Sequence, residues 1–178
     1  MAFNYPSPSI QKFFNDEGTF WSITAYFTDP ANICSKNISS QPQSNANSLG
    51  DRIVIVSDRI SVNLPLNESD VNSSFWTRGK CFWTMGRHYW GDVSGQVNAE
   101  TKVDNFLPFF LMYNNRKLNA FGWVFNADLS SPRYEHPSVK MFKYFTNEVP
   151  KEFLDPTMTG ILSSMHIYFD KTPRLNFC

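Results

Sequence analysis

Apolar and polar positions alternate most clearly in residues 105–126, NFLPFFLMYNNRKLNAFGWVFN. Two apolar arms flank a polar tip, Asn114, Asn115, Arg116 and Lys117. Asn tolerates the positive φ of tight turns, so the stretch predicts a β-hairpin. In the second arm Phe121, Trp123 and Phe125 fall on one face, and Leu118, Ala120, Gly122 and Val124 on the other, because strand side chains alternate with period two. Large rings backed by small residues imply that something packs closely on the small face. Pro108 cannot donate to a ladder and marks the strand entry.

The same alternation predicts a half-buried strand over residues 19–27, with Trp21, Ile23, Ala25 and Phe27 facing one way. Residues 52–66 read as a long β region in which Ser57, Asp58 and Arg59 form a bulge, bend or tight turn. Residues 67–74 read as a polar loop. Strands are expected at 80–85 and 88–93, with Cys81, Trp83 and Met85 sharing a face, and a connecting arm or strand at 96–102. Residues 161–169 give the last strand, with Ile161, Met165, Ile167 and Phe169 on the core face and Ser164, His166 and Tyr168 opposite. Two helices are expected: a short one over residues 7–14, and one over 138–149 in which Val139, Phe142, Phe145 and Val149 recur near the helical period before Pro150. Residues 35–50, SKNISSQPQSNANSLG, lack large apolar groups and read as a mobile polar loop. The sum is a mainly β chain: one domain over residues 1–178, an antiparallel sheet curled into a barrel or sandwich, with the 138–149 helix packed on it.

Composition narrows the function classes. Charged residues make up 18% of the 178 positions and aromatic residues 16%, led by 17 Phe. So many rings among few charges serve a large core, a ring-lined cavity or an apolar contact surface. Sixteen basic residues balance sixteen acidic ones, and no basic cluster exceeds the pair Arg116 and Lys117. Nucleic-acid binding therefore lacks its electrostatic term. No run approaches the length of a transmembrane segment. The start has neither a basic nor an apolar signal region, which points to the cytoplasm, or to an extracellular chain if Met1 is an addition. The three sequons, at Asn37, Asn67 and Asn72, are what chance gives in so Asn- and Ser-rich a chain. Cys34, Cys81 and Cys178 form an odd set with no metal-ligand spacing; Cys178 joined to Cys34 or Cys81 would pin a tail, and unpaired it would link two chains.

No phosphate loop, nucleophile elbow or zinc-protease motif occurs, and no cofactor is implied. Two mixed patches stand out: Arg87, His88 and Trp90, suited to a sugar or aromatic ligand, and Arg133, Glu135 and His136. Neighbours on an extended chain point in opposite directions, so Glu135 and His136 are not expected to share a proton. Cys81 and His88 lie close enough in sequence to meet across a turn as a thiol–imidazole pair. The segment Gly18-Thr19-Phe20-Trp21 resembles the Gly-x-Trp opening of lipocalin-like barrels but spaces the two residues differently, and the rings with a closing Cys resemble ependymin-related proteins without their cysteine pattern; neither assigns a residue. The reading is a non-enzymatic binding protein that holds an apolar or aromatic small ligand, or a glycan, in a pocket lined by Trp21, Trp83, Phe121, Trp123, Phe125, His166 and Tyr168. The competing readings are an assembly protein whose exposed rings meet another chain, a second copy included, and an enzyme built around His88 or His136.

Overall fold

The computed structural model describes residues 6–34, 50, 52–155 and 162–178; the polar segment 35–50 lies almost wholly outside them, as does Ile161 of the last expected strand. Ten strands form three antiparallel sheets among these residues. In chain order they are β1 (Asn15–Asp16), β2 (Trp21–Ser22), β3 (Thr24–Tyr26), β4 (Ile53–Val56), β5 (Ser61–Leu64), β6 (Trp76–Phe82), β7 (Gly86–Gly91), β8 (Phe109–Asn114), β9 (Lys117–Asn126) and β10 (Leu162–Tyr168). The largest sheet has the order β10-β9-β8-β7-β6, the second β3-β4-β5, and β1 and β2 pair alone. Neither large sheet closes into a barrel. The mainly β architecture is of the sandwich kind. No helix among the described residues is long and apolar enough to cross a membrane.

The β8–β9 hairpin forms as its pattern dictates. Asn115 and Arg116 both take positive φ, 49° and 63°, the conformation that a two-residue hairpin turn requires. Phe121, Trp123 and Phe125 face the smaller sheet. With Phe109, Leu111, Tyr113 and Tyr89 they meet Ile53, Ile55 and Leu64 from β4 and β5, and Phe13 and Phe14 from the N-terminal segment. The 52–66 region resolves into β4 and β5 joined by a tight turn, in which Ser57 N–H donates to the Ile60 carbonyl at 2.9 Å.

The opposite face of the five-stranded sheet has its own cover. Trp90, Phe110, Met112, Ala120 and Val124 pack there against Phe106, Phe142 and Phe153. The covering segment lies at the predicted helix but is shorter and wound tighter: a 3-10 turn over Val139–Tyr144, then another over Lys151–Leu154. Val139, Phe142 and Phe145 recur every three residues, and a 3-10 helix stacks side chains at that spacing on one line. The N-terminal helix likewise shrinks to a 3-10 turn, Gln11–Phe13.

Three strand expectations shift. The 19–27 stretch breaks at Ile23 into β2 and β3, which join different sheets. β6 ends at Phe82, so Trp83 and Met85 lie in the turn rather than on a strand face, and β7 starts at Gly86. Gly86 has φ +104°, and a Cβ there would lie 2.6 Å from the Tyr113 carbonyl oxygen, so the strand start needs glycine. The 96–102 arm contributes no strand: side chains satisfy its backbone instead, with Val97 N–H donating to Thr77 Oγ1 at 2.7 Å and Ala99 N–H to Glu148 Oε2 at 3.2 Å. Cys81 is joined to Cys178 by a disulfide that spans 97 residues, and Cys34 is free and exposed.

Candidate functional site

The proposed ring set does not converge. Phe121, Trp123 and Phe125 are inter-sheet core: Phe121 and Trp123 meet edge to face with centroids 5.0 Å apart, and Phe125 stacks beyond at 6.5 Å from Trp123. Trp21 is 36% exposed and joins Phe125, Phe14 and Tyr134 around an open hollow of about 290 Å³ where the two sheets part. Trp83 is 71% exposed at the β6–β7 turn, beside Phe177 at 5.7 Å. His166 and Tyr168 belong to the opposite face of the large sheet, where their rings stack 6.1 Å apart.

That outer face gathers residues from both of the patches seen in the sequence. β10 pairs His166 with Gly122, and β8 pairs Phe110 with the same glycine. Gly122 leaves a gap in the row, and the Phe110 and His166 rings approach to 5.2 Å across it. A Cβ on residue 122 would collide with the Phe110 ring and lie 2.8 Å from the Met165 carbonyl. This is the close packing that the small face of β9 implied. One strand away, β7 contributes His88, stacked on Trp90 at 5.7 Å and Phe110 at 5.9 Å, with Phe145 of the cover at 5.0 Å and His166 at 6.5 Å.

These groups bound one recess between the sheet and the covering segment. The recess is small, about 40 Å³. Met85, Phe142 and Pro137 complete the apolar wall; Glu135 and Ser164 stand with the two imidazoles as its polar groups. His88 is 1% exposed; its Nδ1 makes no well-aligned hydrogen bond, but the backbone of Gly86 and Lys80 lies close enough to the imidazole to favour its charged form. Burial, and then the nearby His166, drop its pKa to about 3, so the imidazole is neutral at ordinary pH. His166 Nδ1 lies 3.4 Å from Glu135 Oε2, an ion-pair distance short of an aligned hydrogen bond. That contact holds the Glu135 carboxyl below its ordinary range, against the opposing pull of burial. Burial first, and then Glu135 and Asp170, raise the Tyr168 phenol to about 12.

His88, Trp90 and Glu135 thus meet His166 at one place, while three other members of the two patches lie elsewhere. Arg87 points to the Glu68 carboxylate, 3.7 Å away, which also accepts from the Tyr89 hydroxyl at 2.9 Å. Arg133 is exposed. His136 points away from Glu135, as extended backbone requires. Sequence reading missed Phe110, Phe142 and Phe145 as lining. Their signal was the small residue Gly122, whose cross-strand neighbours were unknown.

The geometry also speaks to the enzyme reading. His136 Nε2 lies 3.2 Å from both Ser163 Oγ and Asp128 Oδ1. A serine–histidine–aspartate relay needs the acid on the other ring nitrogen. Ser163 is fully buried, and its hydroxyl donates to the Ala127 carbonyl at 2.6 Å while accepting from Leu129 N–H at 2.9 Å. The trio fastens the 127–136 connection to β10. Cys81 is spent in its disulfide, so it makes no thiol–imidazole pair with His88. Among the described residues, no group of three or more His, Cys, Asp and Glu side chains is disposed to hold a metal ion. Comparison with known protein families, curated proteins and solved structures returned no match.

Proposed function

We propose that the protein binds a small apolar or aromatic molecule without transforming it, in the recess between the outer face of the five-stranded sheet and the 135–145 segment. One observation carries the reading: two imidazoles and a carboxylate, His88, His166 and Glu135, stand in one recess walled by Trp90, Phe110, Phe142 and Phe145. Sites for small molecules combine apolar walls with a few placed polar groups. The recess, about 40 Å³, takes only water-sized groups as it stands. A ring therefore enters only when the cover gives way, with Phe142 or Phe145 moved aside.

The test is thermal unfolding against benzene, toluene, indole and phenol. A compound bound only by the folded state at a hundred times its dissociation constant stabilises by about 2.7 kcal/mol. Gly122→Ala puts a Cβ against the Phe110 ring and 2.8 Å from the Met165 carbonyl and should remove that gain, with circular dichroism and a cooperative melt showing whether the variant is folded. A flat response to the whole panel defeats the reading.

The assembly reading keeps one support of its own. Trp83 and Phe177, the latter 50% exposed, form a ring pair on the surface beside the Cys81–Cys178 link. If they meet another copy of the chain, Trp83→Ala lowers the sedimentation coefficient at micromolar concentration; an unchanged monomer rejects it.

A further inference from the structure

We infer that Asn72 is the acceptor of an N-linked glycan, in a chain that matures in an oxidising secretory compartment; the inference stands apart from the binding reading above. Chance accounts for the number of sequons in this sequence, but the structure tells those at Asn67 and Asn72 apart. Asn72, Ser73 and Ser74 are all exposed, in the loop that leads into β6. Asn72 Oδ1 accepts from the Ser74 N–H at 2.9 Å and from the Ser74 hydroxyl at 2.7 Å. This turn brings together the two groups that define the sequon, the amide and the hydroxyl two residues on. It is closed by neighbours in sequence, so the chain can form it before the rest of the molecule folds. Both bonds fall on the amide oxygen. Among the described residues no hydrogen bond engages Asn72 Nδ2, the atom that takes the sugar.

Asn67 offers the opposite arrangement. It is half-buried, its Nδ2 donates to Asp70 Oδ2 at 2.7 Å, and its Oδ1 accepts from Lys117 Nζ at 2.5 Å. The Ser69 hydroxyl donates to Asp70 Oδ1 at 3.0 Å instead of to the Asn67 amide. A bulky glycan on Asn67 would break these contacts as the fold closes, whereas one on Asn72 meets solvent. The Cys81–Cys178 disulfide is an independent sign of the compartment. Such bonds persist in secretory and extracellular surroundings and are rare where thiols are kept reduced. The transfer is a substitution at the anomeric carbon of a lipid-linked oligosaccharyl diphosphate. A bond forms from Asn72 Nδ2 to that carbon. The bond from the carbon to the diphosphate oxygen breaks, its electron pair leaves with the diphosphate, and the amide gives one proton to a base of the transferase.

The experiment uses the full chain isolated from its natural source. An amidase that releases N-glycans, used in heavy-oxygen water, converts each occupied Asn to Asp carrying the heavy isotope, and peptide mass spectrometry locates it. The expected result is a loss of mass on release and a heavy Asp at position 72, with Asn67 unmodified. Alkylation of the unfolded, unreduced chain should label Cys34 alone. In chain secreted from cultured eukaryotic cells, Ser74→Ala should abolish the glycan and Ser74→Thr should retain it, whereas Ser69→Ala should leave the mass of the glycan unchanged. An unmodified Asn72 in the isolated protein overturns the acceptor assignment. A heavy Asp at position 67 overturns the distinction between the two sequons. Alkylation of Cys81 and Cys178 along with Cys34 places the chain in a reducing compartment and overturns the secretory one.

Discussion

Trp123 and His88 lie on opposite faces of the same sheet and fail differently when altered. Trp123 is buried among Phe109, Phe121 and Phe125, so Trp123→Ala should cost about 3–5 kcal/mol through the cavity it leaves, read as a lower urea midpoint. Ligand affinity per folded molecule should not change, because that ring faces the inter-sheet core. His88 governs acid sensitivity. Its pKa falls from 6.5 to about 3 on folding, so between those values the unfolded chain holds the proton and the folded one does not. Stability therefore rises with pH through that window and is lost as pH falls, by about 1.4 kcal/mol per pH unit for one proton. Urea titrations from pH 6 to pH 4 should show a slope about one proton shallower in His88→Phe than in the wild-type protein. Glu135, with its carboxyl held low, adds stability that is present above the unfolded pKa and disappears as pH falls through the folded one. The ring faces of Phe121, Trp123 and Phe125 were legible in the sequence because alternation alone assigns them. Their use as core rather than pocket was not, because that depends on β4 and β5 lying opposite, and no local pattern states which sheet covers which.

The element that decides access to the recess is the covering segment. Its ends are fixed to the sheet. Glu135 and Ser164 exchange backbone hydrogen bonds at 2.8 and 2.9 Å, and the Phe145 carbonyl accepts from Lys80 N–H at 2.9 Å and from Trp90 Nε1 at 3.2 Å. Between these anchors the cover is a 3-10 turn with a Met141 to Ser138 bond of its own and a contact from Lys80 Nζ to the Lys143 carbonyl at 2.8 Å. Such a turn has poorer hydrogen-bond geometry than an α-helix and opens at less cost. Ring binding should then be gated: in stopped-flow measurements the observed rate levels off as ligand rises, instead of climbing linearly. The helical character at 138–149 was legible from its apolar spacing, whereas the tighter winding followed from a repeat of three that the sequence also permits for a longer helix. The recess itself was hidden, since its walls come from β7, β8, β9, β10 and the cover, and only their register brings them together.

At the scale of the molecule, one covalent link joins the β6–β7 turn region to the C-terminal segment. The Cys81–Cys178 disulfide closes a loop of 97 residues, and chain entropy alone assigns about 4–5 kcal/mol to a loop of that length. Cys81→Ser should lower the melting temperature strongly, and reductant should do the same to the wild-type protein while leaving the variant unaffected. Around this link Asn176 is buried and bonded to Asn114 and Asp170, at 2.9 Å each. The sequence offered Cys34 and Cys81 as equal partners for Cys178; the fold chooses by bringing the end of β6 beside the C-terminal segment.

The neighbour-by-neighbour order of β6, β7, β8 and β9 has a kinetic consequence. Pairings between consecutive strands close short loops, and chains rich in such contacts fold quickly. β10 must return across the whole covering segment to reach β9, so its contacts form late. Substitutions in the β8–β9 turn, Asn115 and Arg116 foremost, should slow refolding, whereas trimming Ile167 on β10 should mainly hasten unfolding. A molecule that assembles in this sequence completes the recess only in the final step, when β10 carries His166 alongside Gly122.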